Sequence, residues 1–332
     1  MATGLDVQYR RKKKLYRKRK FKFKRLLWFL LFYAIFSIIT VPLIIIWGPF
    51  NAVKSVTVGA IYSSRHPQVI KAFLSEEQIN AIIHKFDNVS SNDFERQAIS
   101  SDASSGITIE DIKGRTFQGK VMLITDPKRV KVAVTKYSGV KGERISDYVN
   151  EMGAIAGING GGFDDPQGTG SGETPLGLTV HNGEIVKYSD SDMPTIALDK
   201  NGKLSVETLS PDDVKKKDIV EALSFWPVLI KDGEKGKYDN GYWSIAPRSA
   251  IGQKADGTII FVVINGRQMS SIGAQMDDLY KIFHEYGAIN AVNLDGGSSA
   301  EMFYDGKVIN QLWDSFGERY LPTAFVVMPN KE

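Results

Sequence analysis

An unbroken run of uncharged residues, beginning at Leu26 and ending at Trp47, divides this chain before anything else in it can be weighed. As a helix, residues 26–47 rise about 33 Å at 1.5 Å per residue. A hydrocarbon core is about 30 Å thick, so the run predicts one transmembrane helix over 26–48. Pro42 inside it costs a kink that a spanning helix tolerates. Trp28 and Trp47 stand near the ends as interfacial anchors, whereas Tyr33 falls too deep for that role. A cleaved signal peptide is the competing reading. Its apolar core is normally shorter, and no small-x-small site follows Trp47. An uncleaved signal anchor is therefore expected.

The flank of this run sets orientation. Residues 1–25 hold twelve Lys and Arg and one acid, Asp6. Lys and Arg next to a span stay on the cytoplasmic side. The reading is a single-pass protein of the cell membrane, N-terminus cytoplasmic and body extracellular, whose basic tail can touch anionic lipid. The chain has 42 Lys and Arg and 38 Asp and Glu in all, so the remainder carries 30 basic against 37 acidic residues. The net charge of +4 thus belongs to the tail alone. A folded part that is acidic overall gives nucleic-acid binding little support. With no Cys there is neither a disulfide framework nor thiolate chemistry. Four His at scattered positions offer no zinc-ligand spacing.

Residues 49–105 read as a stalk with one short helix over 74–86, Ser75 as its N-cap and Gln78 completing a capping box. The Asn88-Val89-Ser90 sequon within it reads as a chance match. From Ile107 the pattern turns to strands and hairpins. Residues 120–125 and 130–137 flank Asp126-Pro127 and read as one hairpin. Residues 176–180 and 185–188 flank Asn182-Gly183, and residues 196–198 and 204–207 flank Asn201-Gly202, both strong hairpin signals. Residues 258–265 read as a buried strand, 145–152 and 274–286 as helices, and 324–328 as a closing strand. The expectation is an α+β domain over 106–332: a mixed, hairpin-rich sheet with a few packed helices, preceded by one transmembrane helix.

Two stretches in this domain share a grammar. A helix ending in Gly-Ala-Ile leads into an apolar strand, which stops at a glycine turn. The first turn is Asn159-Gly160-Gly161-Gly162-Phe163-Asp164-Asp165, and the second is Asp295-Gly296-Gly297-Ser298-Ser299. Glycines let backbone come close to a ligand, and the flanking side chains offer carboxylate, amide and hydroxyl groups. Two such strand ends are expected to face one site. Two further clusters join them, Gly170-Ser171-Gly172-Glu173-Thr174 and Pro247-Arg248-Ser249. An Arg beside glycine-opened turns suits a phosphate, and paired carboxylates suit glycoside cleavage. Bland readings stand beside these. Asn159 and Asp295 could cap turns, Arg248 could form a structural ion pair, and Asp164, Asp165 and Glu173 could be solvated loop residues. No Ser sits in a Gly-x-Ser-x-Gly elbow and no Gly-Lys-Ser/Thr follows the glycine run, so neither a hydrolase triad nor a Walker loop is supported.

In chain order, INGGGF (158–163), PLGLTVHNGEIV (175–186), PRSAIG (247–252) and NLDGGSSAEM (293–302) resemble the phosphodiester glycosidase family. The resemblance runs from about Ile107 to Met328. It implies hydrolysis of a sugar-1-phosphodiester, releasing the sugar and leaving a phosphomonoester. It also implies an association with exopolysaccharide, since bacterial relatives are commonly exported or membrane-anchored. By resemblance, Asn159, Arg248, Asp295, Ser298 and Ser299 match motif positions of the family. The first motif departs from it, with an extra Gly and an Asp-Asp pair, and the disulfides of animal members are absent.

On this footing Asp295 is the expected catalytic carboxylate, with Asp164, Glu173 or Glu301 as its partner. Arg248 is expected to bind phosphate, assisted by Ser249, Ser298, Ser299 and the Gly296 and Gly297 amides, and Asn159 to hold a sugar hydroxyl or orient the carboxylate. No cofactor is required, although Asp164 and Asp165 offer hard oxygen ligands of the kind Ca²⁺ takes. The expected partner is a phosphate-linked cell-surface glycan. A non-catalytic glycan-binding or polysaccharide-assembly factor on the same fold is the alternative, and a membrane regulator acting through its basic tail is a third reading.

Overall fold

The computed structural model describes residues 23–62, 66–86, 94–102, 104–165, 170–314 and 316–330. Most of the basic tail and the Asn88-Val89-Ser90 sequon lie outside the described residues. The chain forms two compact units, residues 1–50 and 51–332. The first contains the helix Phe23–Trp47, with Pro42 inside it. Among the described residues it is the helix long and apolar enough to cross a membrane.

The second unit is built on an eight-stranded antiparallel sheet. Its order is Glu95–Asp102, Ile107–Lys113, Gln118–Ile124, Ile259–Ile264, Arg248–Lys254, Ala288–Asn293, Val228–Lys231, Glu234–Lys235. A five-stranded sheet runs Lys307–Val308, Met302–Tyr304, Ala156–Asn159, Thr323–Val327, Val130–Val134. A second five-stranded sheet, of Leu204–Glu207, Thr195–Asp199, Ile219–Ser224, Thr179–His181 and Glu184–Lys187, completes the frame.

Strand periodicity explains the layering. Ile259–Ile264 (IIFVVI) is apolar at every position because both of its faces are covered. Ile259, Phe261 and Val263 face a core shared with Phe325 and Val327 of the first five-stranded sheet. Ile260, Val262 and Ile264 face the helix Met276–Glu285 through Met276, Leu279, Ile282 and Phe283. On the far side, Ala324 and Val326 pack against Ile145 and Val149 of the helix Ile145–Met152. That helix stops at Gly153, whose φ of +64° is the left-handed conformation a C-terminal glycine supplies.

Several expected elements are present. The hairpin around Asn182-Gly183 forms, with both turn residues at positive φ as a type I′ turn requires. Strands Thr195–Asp199 and Leu204–Glu207 also pair. Ser75 caps Glu76–Ile83 within a capping box completed by Gln78.

Two expectations are corrected. Residues 120–125 and 130–137 do not pair as a hairpin. Gln118–Ile124 lies between Ile107–Lys113 and Ile259–Ile264, while Val130–Val134 pairs with Thr323–Val327 in another sheet. The Pro127–Arg129 turn carries the chain from one sheet to the other, where Val130 and Val132 are buried in the core shared by both. The segment 49–105 is likewise no free stalk. Helix Asn51–Tyr62 packs on Glu76–Ile83, with Val58 buried and the Ser55 hydroxyl donating to the Ile82 carbonyl at 3.0 Å. Glu95–Asp102 forms the edge of the large sheet. An edge strand exposed on one side needs no strong apolar pattern.

Candidate active site

Antiparallel register brings the second glycine turn beside Arg248. In the pairing of Ala288–Asn293 with Arg248–Lys254, Asn293 stands opposite Ala250. The Leu294 N–H then donates to the Ser249 carbonyl at 2.8 Å, and the Gly297 N–H to the Pro247 carbonyl at 2.9 Å. The turn therefore folds back along the start of the neighbouring strand. Gly297, at φ +62°, is where the chain reverses. A Cβ on Gly296 would stand 2.8 Å from the Pro247 carbonyl oxygen, so that approach excludes any larger residue.

The first glycine turn meets the second. The Asn159 side-chain amide donates to the Asp295 carbonyl at 2.7 Å, its oxygen accepts from the Glu301 N–H at 3.2 Å, and the Asp295 N–H donates to the Gly160 carbonyl at 3.2 Å. Asn159 is fully buried, and both ends of its amide are engaged by backbone. These bonds tie the two glycine turns together. The glycines after Asn159 serve close packing: a Cβ on Gly160 would reach Thr323 Oγ1 at 2.4 Å, and one on Gly161 the Ser224 carbonyl at 2.6 Å.

Asp295 and Arg248 line a common cavity of about 390 Å³. Its walls include Trp226, Trp243, Arg267 and Asn293. Burial pushes the Asp295 carboxyl above the ordinary range. The Ser299 hydroxyl, the charge of Arg319, the Gly296 N–H at 3.0 Å and the charge of Arg248 oppose that rise. Arg248 is buried and donates to three carbonyls, of Trp243, Ser244 at 2.7 Å and Ala274 at 3.3 Å. Burial and the neighbouring Arg267 draw its pKa down to about 9, so it stays a cation at neutral pH. Burial likewise lowers the pKa of Arg267. Among the described residues neither guanidinium lies within 4 Å of a carboxylate. Arg248 also feels the charges of Asp278 and Asp295, without a direct ion pair, and two cations beside one cavity are suited to an anion.

The aromatic wall is continuous. Phe225 stacks on Trp226 at 4.9 Å between centroids, Trp226 meets Trp243 edge-on at 6.4 Å, and Arg248 lies 5.9 Å from the Trp243 centroid. Asn293 donates to the Trp226 carbonyl at 3.0 Å while its side-chain oxygen is buried without a partner. Helix Asn51–Tyr62 also reaches this wall. Ala60 lines the cavity, and a Cβ on Gly59 would stand 2.3 Å from Ser244 Cβ. Ser244 itself holds φ +48°, a strained conformation for a residue with a Cβ.

The other expected residues divide by place. Ser298 and Ser299 face Arg319, whose Nη1 donates to Ser298 Oγ at 2.7 Å and Ser299 Oγ at 3.4 Å. Ser299 reaches the site through Asp295, and neither serine lines the cavity. Ser249 is fully buried within the sheet. Asp164, Asp165 and Glu173 do not line the cavity. Asp164 is exposed, Asp165 accepts from the Gly170 N–H at 3.1 Å, and Glu173 accepts from the Ser171 hydroxyl at 2.7 Å. Among the described residues no group of three or more His, Cys, Asp or Glu gathers where a metal could be held, so Asp164 and Asp165 have no third such ligand. Glu301 is buried, and burial first, then the neighbouring Glu318, raises its pKa to about 10. It is therefore protonated at neutral pH. Sequence reasoning did not single out Arg267, Arg319, Trp226, Trp243 or Asn293. Only Asn293, next to the apolar strand and two residues before Asp295, carried a local cue.

A sequence model of a family described as phosphodiester glycosidase matches residues 152–328, more than half of the chain. The SPbeta prophage-derived uncharacterized protein YomE of Bacillus subtilis (strain 168) is 26% identical over 201 residues, covering 57% of this chain and 30% of that protein. N-acetylglucosamine-1-phosphodiester alpha-N-acetylglucosaminidase of Mus musculus is 24% identical over 223 residues, covering 60% and 42%. The matched region thus spans less than half the length of either curated relative. Among solved structures, the zebrafish N-acetylglucosamine-1-phosphodiester alpha-N-acetylglucosaminidase catalytic domain, auto-inhibited by its pro-peptide, aligns with a TM-score of 0.57 and 23% identity, over 71% of this chain and 88% of that one. A hypothetical protein from Synechocystis aligns with a TM-score of 0.59 and 15% identity, over 71% and 64%. These structural likenesses establish the fold.

Proposed function

Because this chain belongs to the phosphodiester glycosidase family, we propose that it is a hydrolase of sugar-1-phosphodiesters on envelope glycans or exopolysaccharide. The single observation behind this reading is the pairing in one cavity of Asp295, the one carboxylate among its lining residues, with the guanidiniums of Arg248 and Arg267. The phosphodiester sits against the two arginines, and the sugar lies along Trp226 and Trp243. Asp295, its pKa raised by burial, takes a proton from water as that water attacks the anomeric carbon. The C1–O bond breaks, and its electron pair leaves on the phosphate oxygen. A phosphomonoester, with a second pKa near 6, leaves without the proton an alkoxide would need. One carboxylate plus a cationic phosphate cradle is therefore sufficient chemistry. The cradle stabilises charge as it develops on the leaving group.

The apolar helix Phe23–Trp47 and its basic flank support a single-pass anchor with the domain outside the cell. The test uses the full chain in detergent-free nanodiscs with a panel of sugar-1-phosphodiesters, wild type beside Asp295→Asn, with and without chelator. Release of free sugar by wild type alone supports the reaction, and release that survives the chelator supports cofactor independence. Retained glycan binding without release from any donor would replace the hydrolase with a glycan-binding factor.

A further inference from the structure

A second cavity adjoins the candidate active site, and it is of opposite character. About 570 Å³ in volume, it lies between helix Asn51–Tyr62, through Val53, Val56 and Ile61, and a loop surface formed by Met269, Ile272 and Trp313. Ala60 and Arg267 line both cavities, so the two adjoin at these residues. The Arg267 guanidinium stands 5.5 Å from the Trp313 ring centroid, at the junction of cationic and apolar walls. Met269 is wholly exposed, and Val53 and Trp313 are about half exposed. An apolar groove left open to solvent is unusual on a soluble surface and marks a place something apolar covers.

A phosphodiester has two ester arms. With the phosphate on the arginines and the sugar toward Asp295 and the tryptophans, the second arm must leave on the Arg267 side, where the groove begins. We propose that this second arm is a long-chain alcohol, so that the substrate is a lipid-linked sugar phosphate whose hydrocarbon lies in the groove. This inference rests on the proposed hydrolase reading. Hydrolysis adds water across the C1–O bond and leaves the free sugar and a lipid monophosphate. Chain connectivity agrees: only Gly48, Pro49 and Phe50 separate the groove-forming helix from the apolar helix Phe23–Trp47.

The experiment uses the full chain in phosphatidylcholine nanodiscs. Binding of geranylgeranyl, hexadecyl and methyl phosphate is measured directly. Hydrolysis of the matching N-acetylglucosamine-1-phosphodiesters is followed by sugar release. The two long-chain arms separate an isoprenoid from a straight-chain lipid. Met269→Asp and Val53→Asp place charge in the groove at an exposed and a half-exposed position. The expected result is at least a ten-fold preference for a long-chain ester over methyl, lost in both variants while methyl-ester turnover is unchanged. Equal binding and turnover of methyl and long-chain forms, or a preference that both variants retain, overturns the inference and leaves the hydrolase reading intact. A groove-dependent preference in binding with no release from any ester upholds the lipid site and overturns the hydrolase.

Discussion

The side-chain amide of Asn159 donates to the backbone carbonyl of Asp295 across 2.7 Å, joining strand ends that belong to two different sheets. The Asp295 N–H returns a bond to the Gly160 carbonyl, and the Glu301 N–H closes the bridge on the Asn159 oxygen. One buried amide thus sets where the candidate catalytic carboxylate stands relative to both sheets.

Replacing it should cost both stability and activity. Asn159→Ala leaves the Asp295 carbonyl and the Glu301 N–H without their partner in a dry interior, at about 1–3 kcal/mol for each group. Thermal unfolding should show the loss directly. Asn159→Asp should rescue only the acceptor half, keeping the Glu301 bond and losing the Asp295 bond.

The two cavity arginines should separate by what they hold. Arg248 donates to three carbonyls, so Arg248→Lys, with no planar fork, should lower the melting temperature as well as turnover. Arg267→Gln should raise KM at least ten-fold with a much smaller change in melting temperature. Unfolding curves beside steady-state kinetics check both. Equal destabilisation by the two would remove the distinction.

Activity should depend on pH through Asp295. The carboxylate must be ionised to act as a base, and burial raises its pKa. Turnover should then be lost as pH falls through a value above the ordinary Asp range of about 4. The Ser299 hydroxyl favours the charged form, so Ser299→Ala should move this acidic limb to higher pH. A limb that stays in place would assign the ionisation to another group.

Glu301 gives the opposite kind of pH dependence, in stability. Its folded pKa is raised to about 10 from an ordinary 4.5. Between those values the folded state holds a proton that the unfolded state has released, so stability falls as pH rises through that window. Glu301→Gln should remove this slope. Its advantage over wild type should grow from pH 5 to pH 9, by at most about 1.4 kcal/mol per unit. Denaturant midpoints at three pH values measure it.

Much of the local structure was legible along the chain. Ser75 and Gln78 form the capping box their spacing announces, Asn182-Gly183 makes its hairpin, and the apolar face of 274–286 becomes the buried side of Met276–Glu285. Each depends on contacts within a few residues, where capping, turn conformation and side-chain period act directly. The Asp126-Pro127 turn shows the limit. Its residues announce a reversal, yet the strand after it pairs with Thr323–Val327, far along the chain. The turn chemistry is the same whether the next strand returns to its neighbour or crosses to another sheet.

The apolar helix, the hairpin turns and the residue types that meet at Asp295 and Arg248 can be read along the chain. Those follow from local conformational preference and from motifs a few residues long. It is the folding of distant strands together that brings Arg267, Asn293, Trp226 and Trp243 to the cavity, holds Asn159 by backbone, and keeps Asp164 and Glu173 off the lining. Strand pairing chooses neighbours by the apolar area buried across the whole domain, a sum over residues distant in the chain that no single stretch contains.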